Sequence, residues 1–392
     1  MTPLHSNPAF SGIYSSDGRF SCHSLPHLLK PRLVGLLLLL SACRDQDEVR
    51  VGVVLSQDGA AAAGLAVEDI RASRILGDQE LSLEVIPESS GSAVPAITAA
   101  ETLAGNHSVI GVVGHSNSAS TLSASRIYNE RRLTHIAPTS TAALLDEAGP
   151  FSFRLVGSDR LQGEFLAKAI QNHPSARIAI MFVNDDYGRG IHETIEGLLR
   201  SAGRNIVIEV PYAEGTGAED MAVSARSISR NRPDILFWLG RSLELAEILP
   251  QLRRANPRLM VIASDGVQDQ IAGTSSSVFS GIEYVHIGPV LSELKSVAEL
   301  DRRFRERFDR PLSTQGLLSY EAVMLYAEAV RAVGSDREKI REYLASLGRE
   351  RPAYKGLSGE IRFDSTGALR SSYRLMLVTE SGTARPAPFP IP

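Results

Sequence analysis

From Val49 onward, short runs of β-branched residues alternate with amphipathic stretches. Val49–Leu55 (VRVGVVL) predicts a strand. Leu65, Ile70 and Ile75 mark the apolar face of a helix over 64–76. A second strand over 81–86 precedes a helix over 93–105 that ends on Gly105. Strands follow at 108–114 and 133–138, with a helix over 120–131 between them. Strands this continuously apolar, separated by helices, predict a parallel sheet covered on both faces.

The same grammar restarts after Gly157-Ser158-Asp159. Helices over 161–172, 190–201, 220–230 and 243–255 separate strands at 176–183, 205–212, 234–240 and 259–264, and a further strand is expected at 282–286. Three helices, over 294–308, 316–333 and 337–347, then send the chain back toward the first series. A closing hairpin is expected between 359–363 and 373–378, around the turn Asp364-Ser365-Thr366-Gly367. The expected fold is therefore α/β, with two doubly wound parallel-sheet lobes joined by multiple hinge crossings. Residues 49–157 with 287–357 are assigned to lobe 1, and 158–286 with 358–384 to lobe 2. Arg385–Pro392, with four prolines, is expected to stay unpaired as a flexible tail.

The N-terminus sets the compartment. Lys30 and Arg32 precede the apolar run Leu33–Leu40 and the small residues Ser41-Ala42-Cys43. The run is far short of the roughly 20 residues that cross a bilayer, so it predicts a secretory signal over 1–42. Leu40-Ser41-Ala42-Cys43 resembles a bacterial lipobox, which implies lipidation of Cys43 and an extracytoplasmic, membrane-anchored protein. Cys22 and Cys43 are the two cysteines of the chain, so the mature protein has no disulfide and depends on its apolar core. The 350 residues beyond position 42 are too many for a single core. They carry 38 basic and 44 acidic groups, a net charge of −6, which argues against nucleic acid as a partner.

The stretch Gly114-His115-Ser116-Asn117-Ser118 admits two chemistries. It nearly spells G-x-S-x-G, and the order Ser116, Asp265, His286 would suit a serine hydrolase. The elbow's last glycine is Ser118, however, no oxyanion loop is visible, and His286 lies within an expected strand. The alternative is a helix start that holds a carboxylate. Thr139-Ser140-Thr141 follows the neighbouring strand in the same way, so two adjacent strand ends offer hydroxyls and N–H groups as an anion cradle. Plain N-capping by the same residues is the simpler explanation of either loop alone. Gly188-Arg189-Gly190 lacks the third glycine of a dinucleotide loop, having Glu193 there, and no cofactor is expected. The six histidines of the mature chain, at 107, 115, 135, 173, 192 and 286, show no metal-ligand spacing, and no metal site is expected.

An ordered set of motifs is more specific. Gly114-His115 with Ser118–Thr121, Ile136–Thr141, Phe153–Asp159 with Gln162-Gly163, Asn184–Gly190, Gly240-Arg241, Ser264–Gly266 and Gly359–Asp364 together resemble the type I periplasmic binding proteins of the leucine/isoleucine/valine-binding family. The resemblance runs from about Val49 to Val378. It implies a monomeric, non-enzymatic receptor that closes on an amino acid or amide and delivers it to the membrane domains of an ABC importer. It implies that Ser118, Thr139, Ser140 and Thr141 hold the ligand carboxylate. It implies also that Asp265 pairs with the ammonium and that Tyr187 forms an aromatic shelf. Two positions depart from the family pattern. The loop Ser56–Gly64 is short and alanine-rich. Arg241 stands where an aromatic or small residue is usual; it would receive an acidic group or stand as a solvated arginine at a helix start. A sensing module of the same fold and a lobe pair without ligand remain the alternatives.

Overall fold

The computed structural model describes residues 48–88, 92–274, 277–370 and 373–390. Cys22, Cys43 and the apolar run before Cys43 lie outside them. Two parallel sheets carry the fold. The first contains β1 (Val49–Leu55), β2 (Leu81–Pro87), β3 (Val109–Gly114), β4 (Thr134–Ala137) and β5 (Ser152–Arg154), in the order β2-β1-β3-β4-β5. The second contains β6 (Arg177–Val183), β7 (Asn205–Tyr212), β8 (Ile235–Leu239), β9 (Met260–Ala263) and β10 (Glu283–His286), in the order β7-β6-β8-β9-β10. The two orders are the same doubly wound topology, each reversing direction beside its first strand. That reversal opens a crevice at the C-terminal ends of β1 and β3 in one lobe and of β6 and β8 in the other.

The helices of the first lobe are α1 (Gln57–Ser73), α2 (Ala93–Gly105) and α3 (Ser118–Glu130). Those of the second are α4 (Asp159–Ala169), α5 (Asp186–Ser201), α6 (Ala218–Arg230), α7 (Ser242–Ala255) and the short α8 (Gln268–Thr274). The chain then crosses back through α9 (Ala298–Phe308), α10 (Thr314–Val333) and α11 (Arg337–Ser346). α10 packs on α1 and β3, which closes the first sheet's second face. Gly111 permits this contact, because a Cβ there would lie 2.2 Å from the Tyr326 ring. The Tyr326 hydroxyl instead bonds Val112 N at 3.2 Å and Thr134 O at 2.9 Å, spanning β3 and β4.

Three expectations need correction. The alanine-rich stretch is not a loop: α1 starts at Gln57, since alanine is the strongest helix former and Ala62 and Ala63 are fully buried. The expected closing hairpin does not form. β12 (Glu360–Ile361) pairs with β11 (Tyr354–Lys355), while β13 (Arg374–Val378) joins the second sheet antiparallel to β10. The turn itself is present, with Asp364 Oδ1 accepting Thr366 N at 2.8 Å and Gly367 at φ +78°. After the single bridge Phe363–Leu369, however, Leu369 N donates to Arg154 O, drawing the chain onto β5 instead. The tail is not unpaired either, because β14 (Ala384–Pro386) forms the outer edge beside β13. An edge strand needs only alternate N–H groups, so Pro386 is tolerated opposite Met376 while Ala387 N bonds Leu375 O at 2.9 Å. Phe389 then stacks on Phe165 with centroids 4.2 Å apart.

Candidate functional site

The first lobe contributes two loops that are lashed together by their own hydroxyls. Asn117 caps α3, its Oδ1 accepting Ser120 N at 3.0 Å. The first turn of α3 presents Ser118, whose Oγ accepts Ala142 N from the second loop at 3.2 Å. Ser140 Oγ lies 2.7 Å from Thr121 Oγ1, and Thr139 Oγ1 donates to Ser116 O at 3.3 Å. Ser118, Ser140 and Thr141 are buried, whereas Thr139 is half-buried. Beneath them sits Arg154, 3% exposed. Its Nη1 donates to the carbonyls of Thr141 and Ala142 at 3.0 and 2.9 Å, and Nη2 pairs with Asp146. With their carbonyls held by the guanidinium, these loop peptides keep one fixed orientation.

The second lobe contributes a charged cluster. Asp185 caps α5, its Oδ1 accepting Gly188 N at 2.8 Å, and this places Tyr187 in the helix's first turn. The Tyr187 hydroxyl lies 2.6 Å from Asp265 Oδ1 and accepts Gly266 N at 2.9 Å. Gly266 is required here, since a Cβ would come 2.5 Å from Gly240 O. Gln162 Nε2 donates to Asp265 Oδ1 at 2.8 Å and to Asp159 Oδ1 at 3.1 Å. The Arg241 guanidinium covers the Tyr187 ring at 4.6 Å and pairs with Asp185 at 3.0 Å, with Glu214 at 3.9 Å. Its charge is thus already matched by carboxylates.

Two buried aspartates are therefore bridged by one amide. Asp159 is fully buried, and its Oδ2 makes no hydrogen bond among the described residues. Burial, reinforced by the neighbouring Asp265 charge, pushes the Asp159 carboxyl well above the usual range. Burial pushes Asp265 up as well, against the opposing bonds from Tyr187 and Gln162. The structure joins this cluster to the first-lobe loops, because Asp159 N donates to Thr141 O at 2.8 Å. Carboxylate oxygens thus lie next to a loop of hydroxyls and N–H groups, an arrangement suited to a small molecule with opposite charges at its two ends.

Arg154, Asp159 and Gln162 stand in the motifs of the sequence but were not assigned to the site from them. Ser158-Asp159 carries the ordinary signal of a helix start, and nothing in it reveals a buried carboxylate; the proximity of Gln162 to Asp265 exists only in three dimensions. The hydrolase constellation is not assembled. Ser116 Oγ accepts Ser56 N at 2.8 Å, His286 Nε2 bonds Pro289 O at 3.1 Å, and Asp265 is held by Tyr187 and Gln162. The structure does gather His192, Glu196 and Glu209, ligand atoms within 4.8 Å, by adding a β7 residue to an α5 pair. Arg200 already bonds both glutamates, at 2.5 and 2.6 Å.

The sequence pattern of the receptor family ligand binding region matches residues 59–381. The chain belongs to this family. Within it, the chain is 27% identical over 276 residues to the Leu/Ile/Val-binding protein homolog 1 of Brucella abortus (strain 2308), covering 69% of this chain and 72% of that one. It is 26% identical over 272 residues to the leucine-, isoleucine-, valine-, threonine- and alanine-binding protein of Pseudomonas aeruginosa, covering 68% and 70%. The branched-chain amino acid transporter substrate-binding protein of Streptococcus pneumoniae, solved with isoleucine, superposes with a TM-score of 0.74 at 19% identity, covering 87% of this chain and 99% of that one. As a member of this family, the chain has the type I periplasmic binding fold, and the relatives named here are solute-binding proteins.

Proposed function

We propose that this protein is the extracytoplasmic solute-binding component of an ABC importer, closing its two lobes on an amino acid or similar zwitterion. The observation that carries the reading is the buried Asp159–Asp265 pair beside the hydroxyl loops of the first lobe. Two buried carboxylates, one with an oxygen lacking a partner, are costly unless a cationic group neutralises them. A ligand ammonium supplies that group. Its carboxylate would lie against the first turn of α3 and the Ser140-Thr141 end of the second loop, where N–H groups and hydroxyls gather without any basic side chain. The lobes are taken as 49–157 with 287–357 and 158–286 with 358–384. Contacts made from both would stabilise the closed form.

The names of the relatives support amino acids as the ligand class and an importer as the partner. They equally support an extracytoplasmic location. Among the described residues no helix is long and apolar enough to cross a membrane, so attachment would rest on lipid at Cys43. The mass of the mature N-terminal peptide checks that assignment. Thermal unfolding of the purified protein against a panel of amino acids and amides tests the function. A ligand at about 100 times its Kd adds roughly 2.7 kcal/mol of stability, a shift of several degrees. A curve unmoved by the whole panel would overturn the reading.

A further inference from the structure

We propose that the ligand's side chain is polar and uncharged, bearing a hydroxyl or carboxamide that is read by Gln315, Thr139 and Asn117. The proposal rests on the amino-acid-binding reading above and names the substrate class of that site. Doubly wound sheets take their ligands at the crevice where strand order reverses, which in the first lobe lies between the ends of β1 and β3. Ser56 leaves β1 there, and Ser116 and Asn117 leave β3. Thr139 enters from the end of β4, and Gln315 from the first turn of α10.

Burial separates these residues from their neighbours. Ser118, Ser140 and Thr141 are buried, whereas Ser56, Ser116, Asn117, Thr139 and Gln315 are all half-buried. These five part-exposed side chains at the crevice are uncharged and polar. They are also held in register. Ser56 Oγ bonds Gln315 Oε1, Ser56 N donates to Ser116 Oγ at 2.8 Å, and Thr139 Oγ1 donates to Ser116 O at 3.3 Å. The turn bearing Gln315 is fixed by Ser313, whose Oγ accepts Gly316 N at 3.0 Å, and by Asp269, whose Oδ1 accepts Thr314 N at 3.3 Å.

The cluster retains hydrogen-bonding capacity. Gln315 Nε2 makes a single long bond, 3.4 Å to Thr139 Oγ1, so its second hydrogen is available to an acceptor. Asn117 uses Oδ1 as the cap of α3, while its Nδ2 makes no bond among the described residues. An aliphatic side chain closed over these amides would remove their water and return nothing, which is how polar sites reject apolar analogues. An acidic side chain fares no better. The Arg241 guanidinium is engaged by Asp185 and Glu214, and beside Ser116 on the first-lobe loops stands the acidic Glu88, bonded to Ser116 N at 2.6 Å and to His115 at 3.0 Å.

Calorimetric titration of the purified protein with glutamine, asparagine, threonine, serine, leucine, isoleucine, valine, glutamate and lysine tests this. A polar uncharged amino acid is expected to bind at least tenfold tighter than any aliphatic one, and Gln315→Leu to cut that preference by at least tenfold. Thr139→Val, also half-exposed, carries the same test if the first variant does not fold. Leucine, isoleucine or valine binding as tightly as the polar ligands would overturn the inference and leave the proposed function standing. Tightest binding of glutamate or lysine would overturn it too. Absence of binding by every amino acid would remove the proposed function and this inference with it.

Discussion

Asp159 N donates to Thr141 O at 2.8 Å, and that single bond sets the buried carboxylate at the start of α4 against the hydroxyl loop of the first sheet. The two halves of the candidate site therefore adjoin at the Thr141–Asp159 junction. Residues at this junction should control affinity more than those at its rim. Asp265→Ala is expected to weaken amino-acid binding by at least tenfold. Ser118→Ala is expected to cost less, because Ser118 Oγ is occupied by Ala142 N and neighbouring N–H groups remain. Isothermal titration of both variants checks the ranking. A larger loss in Ser118→Ala would reverse the assigned order of importance.

The raised Asp159 carboxyl gives a pH prediction with a definite sign. Its folded value lies above its unfolded one, so its stabilising contribution is full below the ordinary aspartate range and is lost as pH rises through the raised value. At neutral pH the ligand-free protein therefore carries this group at a cost. Asp159→Asn keeps the shape without the charge and should raise ligand-free stability by about 1–3 kcal/mol at pH 7 while weakening ligand binding. A ligand ammonium favours the ionised pair, so binding should release protons and tighten as pH rises. Titrations in buffers of different ionisation enthalpy read the proton count directly. Proton uptake on binding would contradict the assignment.

The strands were legible because buried parallel strands are almost wholly apolar: β1 occurs at the residues its run predicts and β6 within one residue of them. Several helix starts with a polar first turn were read late, as at Asp186, because capping residues look like loop. The false hairpin shows the limit of local pattern. Both segments and the turn between them look like hairpin components, but a backbone bond from Leu369 to Arg154 redirects the chain. Of the site, Tyr187 and Asp265 were visible as motif residues. Gln162 was a motif residue too, but its tie from Asp265 to Asp159 was not legible, since 103 residues separate Gln162 from Asp265 in sequence.

Arg154 should be the costliest single position near the site. Its guanidinium satisfies two buried loop carbonyls and the half-buried Asp146. Arg154→Met strands a carboxylate and both carbonyls, a loss expected at about 3–5 kcal/mol in denaturant unfolding. Arg154→Lys keeps the charge but cannot fork, so it should fall between the two. Wild-type stability in the methionine variant would show that the loop holds its shape without the clamp.

Arg241 should behave oppositely. Its side chain and that of Asp185 are each about a quarter exposed, at 25% and 23%, so the pair is screened by solvent. Arg241→Ala is expected to change unfolding free energy by no more than about 1 kcal/mol. The same variant uncovers the Tyr187 ring, so its effect should appear in ligand affinity. A stability loss several times larger would make Arg241 a structural residue of the second lobe.

His135 predicts how the fold responds to acid. It is fully buried in β4, Nε2 bonded to Ser152 Oγ at 2.8 Å, and burial together with His115 pulls its pKa down to about 3. The folded value lies below the unfolded one, so its contribution is present above about pH 6.5 and lost as pH falls from there toward 3. Over that window a single such group gives a slope approaching about 1.4 kcal/mol per pH unit. Stability measured by denaturant at pH 7, 6, 5 and 4 should fall more steeply for the wild type than for His135→Gln, whose amide does not titrate. Parallel curves would mean that His135 keeps its proton balance on unfolding and that acid sensitivity arises elsewhere.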